Sequence, residues 1–223
     1  MPRQRQEQRV SGILIIGGGV GGLTLALALH RNGIACQVVE AASDVRALGV
    51  GVNVLPHAAA ELARLGLEPA LTAQCIETDE ANFFNRFGQL IHREPLGRAA
   101  GYAHPQLSIH RADLHLTLLR TVRERLGEGA VLLDRRLAQV EQDATGVTLH
   151  FAPDASGAVP PPLPGAVAIG ADGIHSALRR QLYPAEGDPK YTGYNMWRGV
   201  TRWPAFLTGA SQTRVGWLAN GKM

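Results

Sequence analysis

With 223 residues, 45% of them hydrophobic and 18% charged, and a formal net charge of +3, the chain is long enough to bury a sizeable core and too apolar to be a disordered tail. Its apolar runs are too short to span a membrane, and its scattered basic residues, such as Arg120, Arg123 and Arg125, read as a solvated helix face rather than a nucleic-acid site. Two cysteines, Cys36 and Cys75, with the first in an expected buried strand, make a disulfide framework a poor reading and a reducing cytoplasm the expected setting.

Residues 1–10 are polar and basic, without the apolar centre of a signal peptide, and are expected to be a flexible tail. Residues 12–17 read as a strand and 20–32 as a helix closed by Gly33. A second strand is expected over 35–40, then a glycine-containing loop from 41 to 55. A helix opens at Pro56 and runs to Gly66. Residues 75–93, broken by Gly88, read as a hairpin, and 111–126 as an amphipathic helix with Leu114, Leu118, Leu119 and Val122 on its apolar side. Strands are expected at 136–142 and 146–151. The proline-rich stretch 153–165 reads as an exposed loop, because its prolines lack donors. Residues 167–169 read as a short buried strand, with a helix from Ser176. Residues 191–200 read as extended and aromatic.

The chemistry is concentrated in glycine motifs. Gly17, Gly19 and Gly22 fit G-x-G-x-x-G after the strand Ile13-Leu14-Ile15-Ile16, with Val20 and Gly21 opening the helix and Glu40 eighteen residues after Gly22. That is the arrangement of a dinucleotide-binding unit. Gly17 makes the tight turn, Gly19 admits a pyrophosphate to the backbone N–H groups, and Gly22 packs helix on strand. The helix N-terminus adds partial positive charge. Glu40 suits a ribose hydroxyl and opposes a 2′-phosphate, which favours FAD or NAD over NADP at this position. No histidine has a metal-ligand spacing, no G-x-S-x-G occurs, and no catalytic acid or base is assigned.

Two further segments complete a pattern. Ser108-Ile109-His110-Arg111-Ala112-Asp113-Leu114 is a strand end leading into a helix with an arginine at the junction. Gly170-Ala171-Asp172-Gly173-Ile174-His175-Ser176-Ala177-Leu178-Arg179 is a strand followed by a second glycine turn. With the first motif they resemble the group A flavoprotein aromatic hydroxylases, the family with the p-hydroxybenzoate hydroxylase fold, and most closely its phenazine-modifying members. The segments 46–53 and Met196-Trp197-Arg198-Gly199 fit the same pattern.

The resemblance implies an α/β fold: a Rossmann-like FAD-binding parallel sheet with an inserted β-rich segment and the start of a substrate-binding sheet. It implies an FAD-binding domain over 11–185 and the start of a substrate-binding domain over 186–223. It implies cofactor contacts at Gly17, Gly19, Val20, Gly21, Gly22, Glu40, Arg46, Gly51, Val52, Arg111, Asp172 and Gly173. Arg111 can also be read as helix decoration, and Asp172-Gly173 as an ordinary strand-to-helix turn. Tyr194, Met196 and Trp197 are open to two readings, an aromatic substrate pocket or core packing. The implied reaction is hydroxylation of a small aromatic substrate with FAD, NAD(P)H and O2, the cofactor carrying the hard step. A catalytically incompetent nucleotide-binding module and a flavin-dependent reductase of isoprenoid lipids are the alternatives. The family's third fingerprint, Gly-Asp-Ala followed by a small residue and His, is absent, so the chain is expected to be an N-terminal portion of a longer hydroxylase.

Overall fold

The computed structural model describes residues 12–45 and 49–216. The elements, in chain order, are β1 (Ile13–Ile16), α1 (Val20–Arg31), β2 (Cys36–Val39), β3 (Gly51–Val54), α2 (Pro56–Arg64), α3 (Glu68–Thr72), β4 (Cys75–Thr78), β5 (Glu80–Asn85), β6 (Leu90–Pro95), β7 (Gln106–His110), α4 (Arg111–Leu126), β8 (Val131–Leu132), β9 (Leu137–Asp143), β10 (Gly146–Phe151), β11 (Leu163–Gly165), β12 (Val167–Gly170), α5 (Ala177–Leu182) and β13 (Ser211–Gly216). Contacts divide them into two compact units, one from described residues 12–45 and 115–195, the other from 49–114 and 196–216.

The first unit is built on a parallel sheet in the order β12-β1-β2-β8. Parallel neighbours require a crossover, and α1 provides it between β1 and β2. Gly22, Leu23, Ala26 and Leu27 form the buried stripe of α1, the spacing of one helical face. The helix stops where Gly33 takes φ +70° and the N–H of Ile34 returns to the Leu29 carbonyl. An antiparallel sheet, β11-β10-β9, shares its core. Leu14, Ile16 and Val39 pack with Leu137, Val140, Leu149 and Phe151, each buried side chain contributing roughly 1.5–3 kcal/mol. Gly165 is demanded by this packing, since a Cβ there would sit 2.6 Å from Leu14 Cγ.

The second unit holds two three-stranded sheets, β3-β7-β4 and β13-β5-β6. β5 and β6 form a hairpin whose turn is fixed by Asn85: its Oδ1 accepts the N–H groups of Phe87 and Gln89, and Gly88 adopts φ +77°. β13 lies parallel to β5, held through the buried Glu80. Its carboxylate accepts hydrogen bonds from Asn82 Nδ2 at 2.7 Å and from the Ser211 hydroxyl. These donors, Ser211 first, hold the Glu80 carboxyl below the usual carboxylate range, and the nearby Arg93 acts in the same direction.

Several sequence expectations are corrected. The segment 41–55 is not all loop, because β3 occupies its end and pairs with β7. The hairpin is β5–β6 alone, since β4 pairs with β7 in the other sheet. The proline-rich loop ends in an edge strand, β11, which Pro164 tolerates because an edge position leaves one side unpaired. β12 is an edge strand, not a buried one, and Val167 is 49% exposed. Residues 191–200 form no strand, and Tyr194, Met196 and Trp197 are exposed rather than packed in a core. Among the described residues, no helix is long and apolar enough to cross a membrane.

Candidate dinucleotide site

The turn from β1 into α1 is shaped by steric demands at three glycines. Gly17 has φ +111°, and a Cβ there would lie 2.3 Å from the Ala171 carbonyl oxygen and 3.0 Å from Asp172 Cα. The first glycine motif therefore abuts the second, and the Ala171 N–H donates to the Ile16 carbonyl at 2.7 Å. Gly22 sits under the turn, where a Cβ would come 1.9 Å from the Gly17 carbonyl oxygen. At Gly18, a Cβ would press on Glu40, 3.1 Å from its Cβ. Gly19 and Gly21 differ: a Cβ at either meets nothing within 4 Å. Gly17 and Gly22 are thus required by the protein itself, and Gly18 is closely packed against Glu40. Gly19 and Gly21 face open space at the start of a helix, where the first backbone N–H groups lack intrahelical partners.

Glu40 follows β2 and is already engaged with the loop. Its Oε2 accepts the Gly18 N–H at 2.7 Å and its Oε1 accepts the Ala42 N–H at 2.8 Å. A carboxylate has about four acceptor positions, so lone pairs remain for ribose hydroxyls after these two bonds. Glu40 therefore shapes the loop as well as presenting an acceptor. Val20 and Gly21 are the first two residues of α1, and the Val20 carbonyl accepts the Thr24 hydroxyl at 2.7 Å.

Asp172 is engaged with the turn that follows it. Its Oδ1 accepts the Ser176 hydroxyl at 2.6 Å, and its Oδ2 accepts the N–H groups of Ala177 and Leu178 at 2.8 and 3.3 Å. Ser176 Oγ in turn accepts the Arg179 N–H at 2.9 Å. The Asp172 carboxylate caps α5, leaving the turn's backbone as the surface it offers. Gly173 has φ +77° and open space at its Cβ position. Beside it is a cavity of about 740 Å³ whose lining includes Gly173, His175, Arg179, Arg180, Tyr183 and Lys190. Arg179 is paired with Glu186.

In the second unit, Arg111 begins α4 directly after β7. Its N–H donates to the Val50 carbonyl at 3.0 Å, and its side chain lies against Gly49, where a Cβ would sit 2.7 Å from Arg111 Nε. Gly49 has φ +133°. Gly51 and Val52 belong to β3, opposite His110 and Ile109, and the Gly51 carbonyl accepts from Arg198 Nη2 at 2.7 Å. These two are strand residues rather than parts of a glycine loop. Arg46 lies outside the described residues. His110 has a role the sequence did not disclose: its Nδ1 accepts the Ala112 N–H at 3.3 Å, in the manner of a helix cap. His115, one turn after Arg111, brings Nε2 to 2.6 Å from the Gly18 carbonyl oxygen, a contact that no spacing in the sequence indicated.

Residues 11–200 match the model of the family described as FAD binding domain. The chain is 42% identical over 200 residues to the phenazine 1,6-dicarboxylic acid hydroxylase PhzS of Lysobacter antibioticus, covering 89% of this chain and 49% of that one. It is 34% identical over 192 residues to the 3-hydroxybenzoate 6-hydroxylase of Polaromonas naphthalenivorans, covering 84% and 46%. Among solved structures, Klebsiella pneumoniae HpxO complexed with FAD and uric acid superposes with a TM-score of 0.63 at 28% identity, covering 77% of this chain and 41% of that one. The chain thus spans about half the length of the relatives it matches. The glycine turn, the acid after β2 and this match agree: the chain belongs to the family described as FAD binding domain.

Proposed function

We propose that this chain supplies the FAD-binding part of a monooxygenase that hydroxylates a planar aromatic acid, of the phenazine carboxylate class, with NAD(P)H and O2 in the cytoplasm. The observation that carries the reading is the β1–α1 turn. Protein atoms crowd Gly17, Gly18 and Gly22, whereas Gly19 and Gly21 face open space at a helix start. That is a cradle a Cβ would fill, and it fits a pyrophosphate. The likeness to a phenazine dicarboxylate hydroxylase supports the substrate class.

In this reading Gly19, Val20 and Gly21 present backbone N–H groups to the pyrophosphate, with Gly17 and Gly22 setting the turn. Glu40 accepts from the adenosine ribose. Arg111 places a guanidinium beside the flavin, and Arg46, Gly51 and Val52 border it. Asp172 holds the turn that presents Gly173. The cavity beside Gly173, with His175, Arg180 and Lys190 on its wall alongside Glu186 and Asp188, is assigned to NAD(P)H on its size and its place beside the second glycine turn. Bound FAD, reduced by NAD(P)H, supplies the oxygen activation that the side chains lack.

Residues 11–185 are assigned to cofactor binding and 186–223 to the start of the substrate-binding part. Met196, Trp197 and Trp203 are 80%, 98% and 79% exposed, so they do not by themselves exclude water from a reacting ring. The test is reconstitution of the 223-residue chain with FAD, followed by NAD(P)H oxidation and product mass analysis with a phenazine carboxylate. FAD binding with NAD(P)H oxidation is expected, and hydroxylated phenazine carboxylate in the product analysis of the whole protein supports the substrate class. Failure to bind FAD overturns the proposal.

A further inference from the structure

We propose that His115 is a positioning residue that aims the Gly19 N–H at the pyrophosphate, an inference that rests on the dinucleotide reading of the β1–α1 turn. Nε2 of His115, on α4, lies 2.6 Å from the carbonyl oxygen of Gly18. A carbonyl only accepts, so Nε2 carries the proton and donates. The Gly18 carbonyl and the Gly19 N–H are the two ends of one planar trans peptide and point to opposite sides of the chain. Fixing the oxygen therefore fixes the direction of the Gly19 N–H.

The preceding peptide is fixed as well, because the Gly18 N–H donates to Glu40 Oε2 at 2.7 Å. Two consecutive peptide planes of the loop are thus clamped, one by Glu40 and one by His115. A glycine pair has the freest backbone of any dipeptide, and without side-chain anchors these planes would rotate readily. The Gly19 N–H has no protein acceptor among the described residues, and the space at its Cβ position is open. His115 is half-buried, and its bond links α4 to a loop 97 residues earlier. No element of G-x-G-x-x-G itself provides the restraint on the second plane. His115 supplies from α4 the restraint that the motif lacks, and it limits the ordering cost of binding.

The test compares the wild type, His115→Ala and His115→Gln for FAD and ADP dissociation constants and for the melting temperature of the ligand-free protein. Glutamine keeps an N–H donor of similar reach. His115→Ala is expected to weaken both ligands about tenfold, the scale of one hydrogen bond within a preorganised site. His115→Gln is expected to stay within about threefold of wild type by the same scale. Equal affinity in all three proteins overturns the proposal. Equal losses in both variants, in step with a lowered melting temperature, also overturn it, since that pattern is structural. A wild type that binds ADP but not FAD overturns the flavin reading and leaves the His115 comparison to be read on ADP. A wild type that binds neither overturns both.

Discussion

Substituting Gly19 by alanine separates the demands of the protein from those of its ligand. The residue is the N-cap of α1 with φ −74° and ψ −177°, a conformation any L-residue adopts. The new methyl meets nothing within 4 Å. Restricting the unfolded chain stabilises by about 0.4–1 kcal/mol, and alanine at an N-cap costs a similar amount, so the ligand-free protein is expected to melt within about 2 °C of wild type. The ligand has no such neutrality. A methyl in the cradle pushes a phosphate away from the loop's N–H groups, and losing one charge-assisted hydrogen bond costs about 1.5–3 kcal/mol, or roughly 10- to 150-fold in affinity. Gly22→Ala is the counterpart. Its methyl would lie 1.9 Å from the Gly17 carbonyl oxygen, so the backbone must move. Overpacking of that kind costs about 1–3 kcal/mol and lowers the melting temperature by roughly 3–10 °C. Flavin fluorescence titration and thermal unfolding of the ligand-free variants supply both measurements. Unchanged FAD affinity in Gly19→Ala would refute the cradle. A collapse of its ligand-free stability would refute the claim that the space is open.

Three further outcomes are expected. Glu40→Ala removes an acceptor for the ribose and two bonds to the loop backbone, and isothermal titration should record FAD binding weaker by about 1–3 kcal/mol, with equal affinity counting against the assignment. Arg111→Ala should lower flavin occupancy, read as the ratio of visible to ultraviolet absorbance, while the ligand-free protein keeps its melting temperature; a large drop in that temperature would make Arg111 structural. The Glu80 carboxyl, held below its ordinary value of 4.5 chiefly by the Ser211 hydroxyl, contributes stability that is present above that value and is lost as pH falls through the lowered one. Denaturant unfolding between about pH 5 and about pH 3 should therefore show a shallower loss of stability in Glu80→Gln than in wild type, and identical slopes would remove Glu80 from the account.

What was legible in the sequence was local. The helix over Arg111–Leu126 follows from an apolar stripe and a clear start, and the glycine turn follows from three residues with fixed jobs. Strand partners were less legible, because period-2 patterning marks a strand without naming its neighbour. β4 and β5 are separated by Asp79 alone, yet they belong to different sheets. β3, with Gly51 and Asn53, has weak strand propensity and forms because β7 provides a ladder more than fifty residues later. The run Val167-Ala168-Ile169 reads the same at a sheet edge as at its centre, and only the order of strands places it at the edge.

The candidate site divides along the same line. Residue type and spacing identify a loop able to receive a dinucleotide, because only glycine tolerates what Gly17 and Gly22 meet. They do not say which groups hold that loop still. Glu40 was read as a ribose acceptor, but its two backbone bonds are as much a part of the geometry, and Asp172 spends its carboxylate on the first turn of α5. Neither arrangement follows from the motifs, since a carboxylate at a given spacing serves a ligand and a backbone N–H equally well. The histidines carry the same ambiguity. Without a metal-ligand pattern they looked idle, yet His110 caps a helix and His115 grips the loop from 97 residues away. Motif spacing records where a ligand fits, whereas preorganisation depends on side chains far along the chain that only the fold brings within hydrogen-bond distance.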